Sequence, residues 1–325
     1  MHDLAVQCVH LAGGTPELGG SRPNAHRWPR AGLRPTRRGT GRATSTLEGW
    51  ERMSADQQLA LTEHLPDDPD RSGPLVVLVH GSLDRAGSFA RVTRRLVELH
   101  TIAYDRRGYH RSRHVTPVHD TLEGHADDLL AVIAGRPAVV VGHSYGGTIG
   151  LAAATRATGP GPIVALAAYE PPLPWLGSWA TRNGSRRGPA PVRPDEDPGD
   201  VAEHFFRRMV GDSAWDRLPD SAREARRADG VALAAELAAI RVDVAPFDAT
   251  SLRVPAVFGR GTDSLPHHRQ AVGWLVEHIA GAELVEFEGA GHGAHLTHPD
   301  AFAQFVRRAV ARVTHGPERS GVPGG

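Results

Sequence analysis

Ser144 stands between Gly142 and Gly146 in AVVVGHSYGGTIGLAAA, residues 138–154, where a β-branched run gives way without a gap to small, helix-favouring residues. A serine on so sharp a strand-to-helix turn is lifted above the sheet edge with its Oγ exposed, and the tightness of the turn favours glycine two residues to either side. The helix that follows supplies its N-terminal dipole and the backbone N–H of Tyr145, both suited to a developing oxyanion. With 37 glycines in the chain a bare G-x-S-x-G arises by accident; the strand before it and the helix after it make this one specific.

A serine hydroxyl is a weak nucleophile at neutral pH and needs a base, which in turn needs an orienting carboxylate. His292 lies in a glycine-rich loop, FEGAGHGAHLTHP, after the last expected strand, and is the expected base. Of its neighbours, His295 reads as a residue facing the pocket or solvent, and His298 as a cap before the helix that opens at Pro299. Two acids compete. Asp263, in VFGRGTDSLPH, is favoured because it follows the strand at 254–258; Glu170, at the end of the strand at 163–169, can reach the same histidine. In VLVHGSLDRAGSF the chain leaves a strand at His80-Gly81 and offers the N–H of Ser82 as a second oxyanion donor. His80 reads as a pin for that loop, His143 as packing beside the elbow, and Asp84 with Arg85 as an ion pair holding the loop rather than as pocket lining.

The elements that must position these residues alternate along the chain. Apolar runs at 74–80, 100–105, 138–144, 163–170, 254–259 and 283–289, with an earlier strand signalled by Leu59-Ala60-Leu61, are separated by helical patterns at 88–99, 119–134, 145–157, 267–280 and 299–312. That alternation is the sign of βαβ units and a mostly parallel sheet, and PLVVLVH is as continuously apolar as a strand buried on both faces. It breaks once, between Pro171 and about Ser251. The insert carries EPPLPWLGSWA, a polar loop, and helical patterns at 199–211 and 221–240, and is too long for a simple connection. It reads as a mostly helical cap over the strand ends.

Composition removes other classes. The formal net charge is zero, so the electrostatic footprint of a nucleic-acid binder is absent, and all 37 basic residues are arginine, a bias expected of a G+C-rich genome. One cysteine, Cys8, excludes an internal disulfide framework and a cysteine metal cluster. No run approaches the roughly 18 apolar residues of a membrane span, and no signal-peptide core opens the chain. A cytoplasmic protein is expected. Residues 1–44, rich in glycine, proline and arginine, read as disordered; because Met53 opens an already ordered pattern, what precedes it reads equally as an extension from an upstream start codon.

VHGSLD, YDRRGYHRS, GHSYGG, GRGTDS and GAGH, in that order over roughly residues 50–313, resemble the motifs of the α/β-hydrolase superfamily with a cap. The resemblance implies an α/β-hydrolase fold, a mostly parallel eight-stranded sheet flanked by helices with a helical cap insertion, and no cofactor. No metal site is expected. The core then comprises 45–170 and 251–313, the cap 171–250, and 314–325 a second disordered tail. Two departures stand out: His110 replaces a residue that is commonly small, and GRGTD is one residue longer than the usual spacing, which keeps Glu170 in contention. With serine at 144, the expected activity is hydrolysis of small carboxylic esters or lactones through an acyl-enzyme, the cap aromatics Trp175, Trp179, Phe205, Phe206 and Trp215 being shared between pocket and packing. Carbon–carbon bond hydrolysis and cofactor-free perhydrolysis are alternatives of the same fold, and a non-catalytic small-ligand binder is the alternative from another class. The expected partner is a small-molecule substrate, with no nucleic acid and no membrane; the oligomeric state is left open.

Overall fold

The computed structural model describes residues 58–68, 73–156, 159–176, 195–242 and 244–314. The two expected tails, Met53, Cys8 and Trp179 lie outside the described residues. Seven strands form one sheet: β1 Leu61–His64, β2 Leu75–Val79, β3 Thr101–Tyr104, β4 Ala138–His143, β5 Ile163–Tyr169, β6 Ala256–Gly261 and β7 Glu283–Phe287. Their spatial order is β1-β3-β2-β4-β5-β6-β7, with β1 antiparallel to β3 and every other pairing parallel. The sheet is thus one strand short of the expected eight among the described residues, its edges being β1 and β7.

The helices are α1 Ala90–Thr93, α2 Leu122–Ile133, α3 Tyr145–Thr155, α4 Pro198–Val210, α5 Asp212–Asp216, α6 Asp220–Ala228, α7 Gly230–Ala239, α8 Pro266–His278, α9 Ala294–Thr297 and α10 Pro299–Thr314. The continuous apolar strands are explained by cover on both faces. Along β4, Val139 and Val141 join one core cluster with Phe89, Phe302 and Phe305, while Ala138 and Val140 join the other with Leu129, Ile149 and Leu275. β2 divides in the same way, Val76 and Leu78 against Leu75, Val77 and Val79, as the two-residue repeat of a strand requires.

Two helical expectations are corrected. The stretch 88–99 forms only a 3-10 turn, Ala86–Phe89, and the four-residue α1. Ser88 and Thr93 there direct their hydroxyls to the carbonyls of Arg85 (2.8 Å) and Ala90 (3.3 Å), and such local bonds compete with helix continuation. The stretch 221–240 divides into α6 and α7 at Asp229-Gly230, both poor helix formers. Asp229 turns its carboxylate out of the helix line to accept from Arg113 (2.5 Å) and from the amide of His110 (3.1 Å). His110 adopts φ 45°, a left-handed backbone that explains why a small residue suits the position.

Candidate active site

β4, β5 and β6 end side by side, and the reactive groups sit just beyond those ends. Ser144 follows β4 with φ 52° and ψ −127°, and its amide donates to Tyr169 O across to β5 at 2.9 Å. A non-glycine residue at positive φ is held there only by its surroundings, and those surroundings are tight. A Cβ on Gly146 would lie 2.1 Å from Val79 O, and one on Gly142 would lie 2.4 Å from the Gly146 backbone, so glycine at both positions is compulsory. The elbow is compressed against the end of β2, which tips Ser144 out of the sheet.

Glu170 terminates β5 with φ 48° and is fully buried. One carboxylate oxygen accepts from the Gly261 amide at 2.8 Å, and the other meets His292 Nδ1 at 2.7 Å. Burial alone would raise the Glu170 carboxyl, but the hydrogen bond and charge of His292 and the Gly261 amide outweigh it and hold the group below its ordinary value. An ionised Glu170 only accepts, so the proton of this hydrogen bond sits on His292 Nδ1.

His292 is the residue that the loop after β7 delivers to the elbow. Tyr169 Oη donates to Gly291 O at 2.7 Å, and His143, next to Ser144, places Nε2 2.8 Å from His292 O. The ring of His268 stacks on His292 at 4.1 Å and 13°. Burial together with the neighbouring histidines pushes His268 well below its ordinary value, so that partner stays neutral.

Of the two candidate acids the structure brings Glu170, not the favoured Asp263, to His292: Asp263 is exposed, and its backbone amide donates to Ala290 O at 3.0 Å. β6 runs on through Gly261, so Asp263 comes only two residues after the strand and turns away. Glu170 has the donors and the burial that an orienting carboxylate needs.

The loop after β2 lies against the elbow, since a Cβ on Gly81 would stand 3.0 Å from Ser144 Cβ. Ser82 follows Gly81 in that loop, and Tyr145 follows Ser144 to open α3. His80 pins the loop as expected: Nε2 accepts from the Arg106 amide at 2.9 Å and Nδ1 donates to Gly81 O at 2.8 Å. Burial, assisted by the Arg106 charge, lowers His80 to about 4 and keeps it neutral. Asp84 pairs with His295 at 3.3 Å, not with Arg85. His295 is buried beside Phe89, and His298 opens α10 through its carbonyl, which accepts from the Phe302 amide at 2.9 Å.

Two residues escaped the sequence. Arg106 donates to His80 O and to Gly81 O, both at 3.0 Å, and to Glu236 of α7 at 2.8 Å, with both side chains buried. Leu83, at φ 54°, packs against both apolar clusters of the α4–α7 insert. The loop after β2 is therefore tied to the insert twice. The available signal was a lone glutamate in the otherwise apolar GVALAAELAA. Of the insert aromatics, Phe206 and Trp215 pack on each other at 5.4 Å, Trp175 packs on Phe247 at 5.6 Å, and Phe205 is half-buried.

A profile of the alpha/beta hydrolase family matches residues 76–305. Over 85 residues, 25% of this chain and 31% of the relative, the sequence is 42% identical to the uncharacterized hydrolase YraK of Bacillus subtilis. Over 266 residues, 77% of this chain, it is 32% identical to the polyketide synthase ThaQ of Burkholderia thailandensis, of which the match covers 12%. The chain thus spans under a third of either relative's length. An alpha/beta hydrolase structure from Sphaerobacter thermophilus is similar with TM-score 0.59 and 27% identity, covering 77% of this chain and 95% of that one. No helix among the described residues is long and apolar enough to cross a membrane.

Proposed function

This chain belongs to the alpha/beta hydrolase family, and from that premise we propose that it is a serine hydrolase of small carboxylic esters or lactones, working through an acyl-enzyme. The observation that carries the reading is the bond from His292 Nδ1 to the buried carboxylate of Glu170 at 2.7 Å, beside a serine held at positive φ. His292 Nε2 takes the proton of Ser144 as Oγ attacks the substrate carbonyl. The amides of Ser82 and Tyr145 receive the oxyanion, and the alcohol leaves with the proton from His292. Water activated by the same imidazole then releases the acid, while Glu170 stabilises the imidazolium in both steps. The insert α4–α7, tied to the Ser82 loop by Leu83 and Arg106, acts as the cap that shapes the acyl pocket.

The test is pre-steady-state hydrolysis of p-nitrophenyl acetate and butyrate. The wild type is expected to release a burst of p-nitrophenol close to one per chain, and Ser144→Ala to lose it with a fall in kcat on the order of a million-fold. A burst that survives Ser144→Ala removes the serine mechanism. The likeness to a polyketide synthase favours one second reading, hydrolysis of an acyl thioester, in which the same serine takes the acyl group as an ester and the thiol leaves. A butyryl N-acetylcysteamine thioester turned over with a higher kcat/KM than p-nitrophenyl butyrate would select it.

A further inference from the structure

Behind the elbow lies a cluster that ester hydrolysis does not use. His143 Nε2 stands 2.8 Å from the carbonyl oxygen of His292, and a carbonyl only accepts. Nε2 therefore carries the proton and Nδ1 a lone pair, and that Nδ1 is buried with no hydrogen-bond partner among the described residues. His295, 1% exposed and packed against Phe89 and Phe302, brings Nε2 to 3.3 Å from Asp84 Oδ2. The three ligand-type atoms, from Asp84, His143 and His295, all lie within 4.8 Å of one another.

Two imidazoles and a carboxylate are the donor set of borderline divalent cations, zinc above all. The 3.3 Å separation between His295 and Asp84 matches the edge of a tetrahedron with metal–ligand bonds of about 2.0–2.1 Å. The outer partners that orient such ligands are also present. The His292 carbonyl fixes the tautomer of His143, and Ser88 Oγ lies 3.0 Å from Asp84 Oδ2.

We propose that Asp84, His143 and His295 form a binding site for a zinc-class divalent cation, which ties together the loop after β2, the elbow and the loop bearing His292. Its ligands come from three distant segments, so no short histidine motif announces it, and the sequence-based expectation of no metal site is revised by this proposal. A second group, Glu170, His268 and His292, also gathers its ligand atoms within 4.8 Å. There, however, Glu170 is already engaged by His292 Nδ1 and the Gly261 amide, and a cation would have to displace the proton that fixes the His292 tautomer.

The experiment is titration of the metal-free full chain with Co²⁺, followed through the visible bands of four-coordinate cobalt, and then competition with Zn²⁺. One Co²⁺ per chain is expected in the wild type and none in His295→Phe, a change that keeps a ring between Phe89 and Phe302. Asp84→Asn is expected to weaken binding at least about tenfold, and His268→Phe to leave it unchanged. Zn²⁺ at about a hundred times its Kd is expected to raise the wild-type Tm by roughly 5–10 °C, and that of His295→Phe not at all. Absence of the cobalt bands in the wild type, their persistence in His295→Phe, or their loss with His268→Phe alone would overturn the site. Should His295→Phe fail to fold, full-strength cobalt binding by Asp84→Asn overturns it equally.

Discussion

β4, alanine and valine up to Gly142-His143, and the insert helix α7, mostly alanine and leucine, are both largely apolar, yet they are held in different ways. Every residue of β4 is buried, with one core cluster on each face and hydrogen-bonded strands on each side. α7 buries Leu233 and Leu237 against Val201 and Ala202 of α4, leaves Val231 54% exposed, and meets the core through the Arg106–Glu236 pair. A parallel strand with cover on both faces has one register, because a one-residue slip would carry each side chain to the opposite face. A helix packed on one small cluster has no such constraint, and its position rests on a few directed bonds. On the proposed function that difference divides the labour of the site: the sheet centre would fix the reacting atoms, and the insert would set what can reach them.

That division is broken most severely by removing a reacting group at the sheet end. Glu170→Gln is expected to lower kcat about ten-thousand-fold with little change in KM, because the amide no longer supports the His292 tautomer and its charge. Asp263→Asn is expected to stay within about twofold, since its carboxylate is solvated. Steady-state ester hydrolysis by the two variants decides the acid, and the reverse result would restore Asp263. Folding carries a matching signature. Glu170 is held below its ordinary carboxyl value, so its ionised form stabilises the chain above the usual carboxylate range, near pH 4.3, and that contribution is lost as pH falls through the lowered value. Acid unfolding of the wild type and Glu170→Gln should therefore converge at low pH.

The contact between the two regions should give the next effect. Glu236→Gln leaves the Arg106 guanidinium buried without its counter-charge, which costs about 3–5 kcal/mol when a buried pair loses one partner. Because the same guanidinium holds His80 O and Gly81 O, the loss is expected to reach Ser82, and kcat should fall along with the unfolding midpoint. Denaturant unfolding and ester kinetics on one preparation check both. A destabilised variant with unchanged kcat would separate the insert from the oxyanion loop.

What could be read in the sequence follows the same boundary. The strands at 75–79, 101–104 and 138–143 were legible because burial on both faces writes itself as an unbroken apolar run, and the elbow because its glycines are sterically compulsory. The choice of Glu170 over Asp263 was not legible. It depends on how far β6 extends and on a φ of 48° at Glu170, neither of which leaves a local pattern. Arg106–Glu236 was hidden for a different reason. Its partners lie far apart in sequence, and in an arginine-only chain one more arginine carries no information until its burial is known.

The smallest effect is expected on the outer face of the insert, where the charges are most numerous. Arg227, 36% exposed on its side chain, reaches Asp197 (3.2 Å), Asp200 (2.6 Å) and Glu203 (3.0 Å), and so links α6 to the start of α4. Exposed pairs gain little because water and salt screen them and two long side chains must be held in place. Arg227→Ala should therefore cost about 1 kcal/mol or less, and the cost should shrink further between low and 1 M salt. Its kcat should equal that of the wild type, since nothing in this network touches the loop after β2, while KM is free to move if the insert shifts as a body. A fall in kcat would mean that the insert is coupled to the reacting atoms through its outer surface as well as through Arg106, and the division between the two regions would no longer hold.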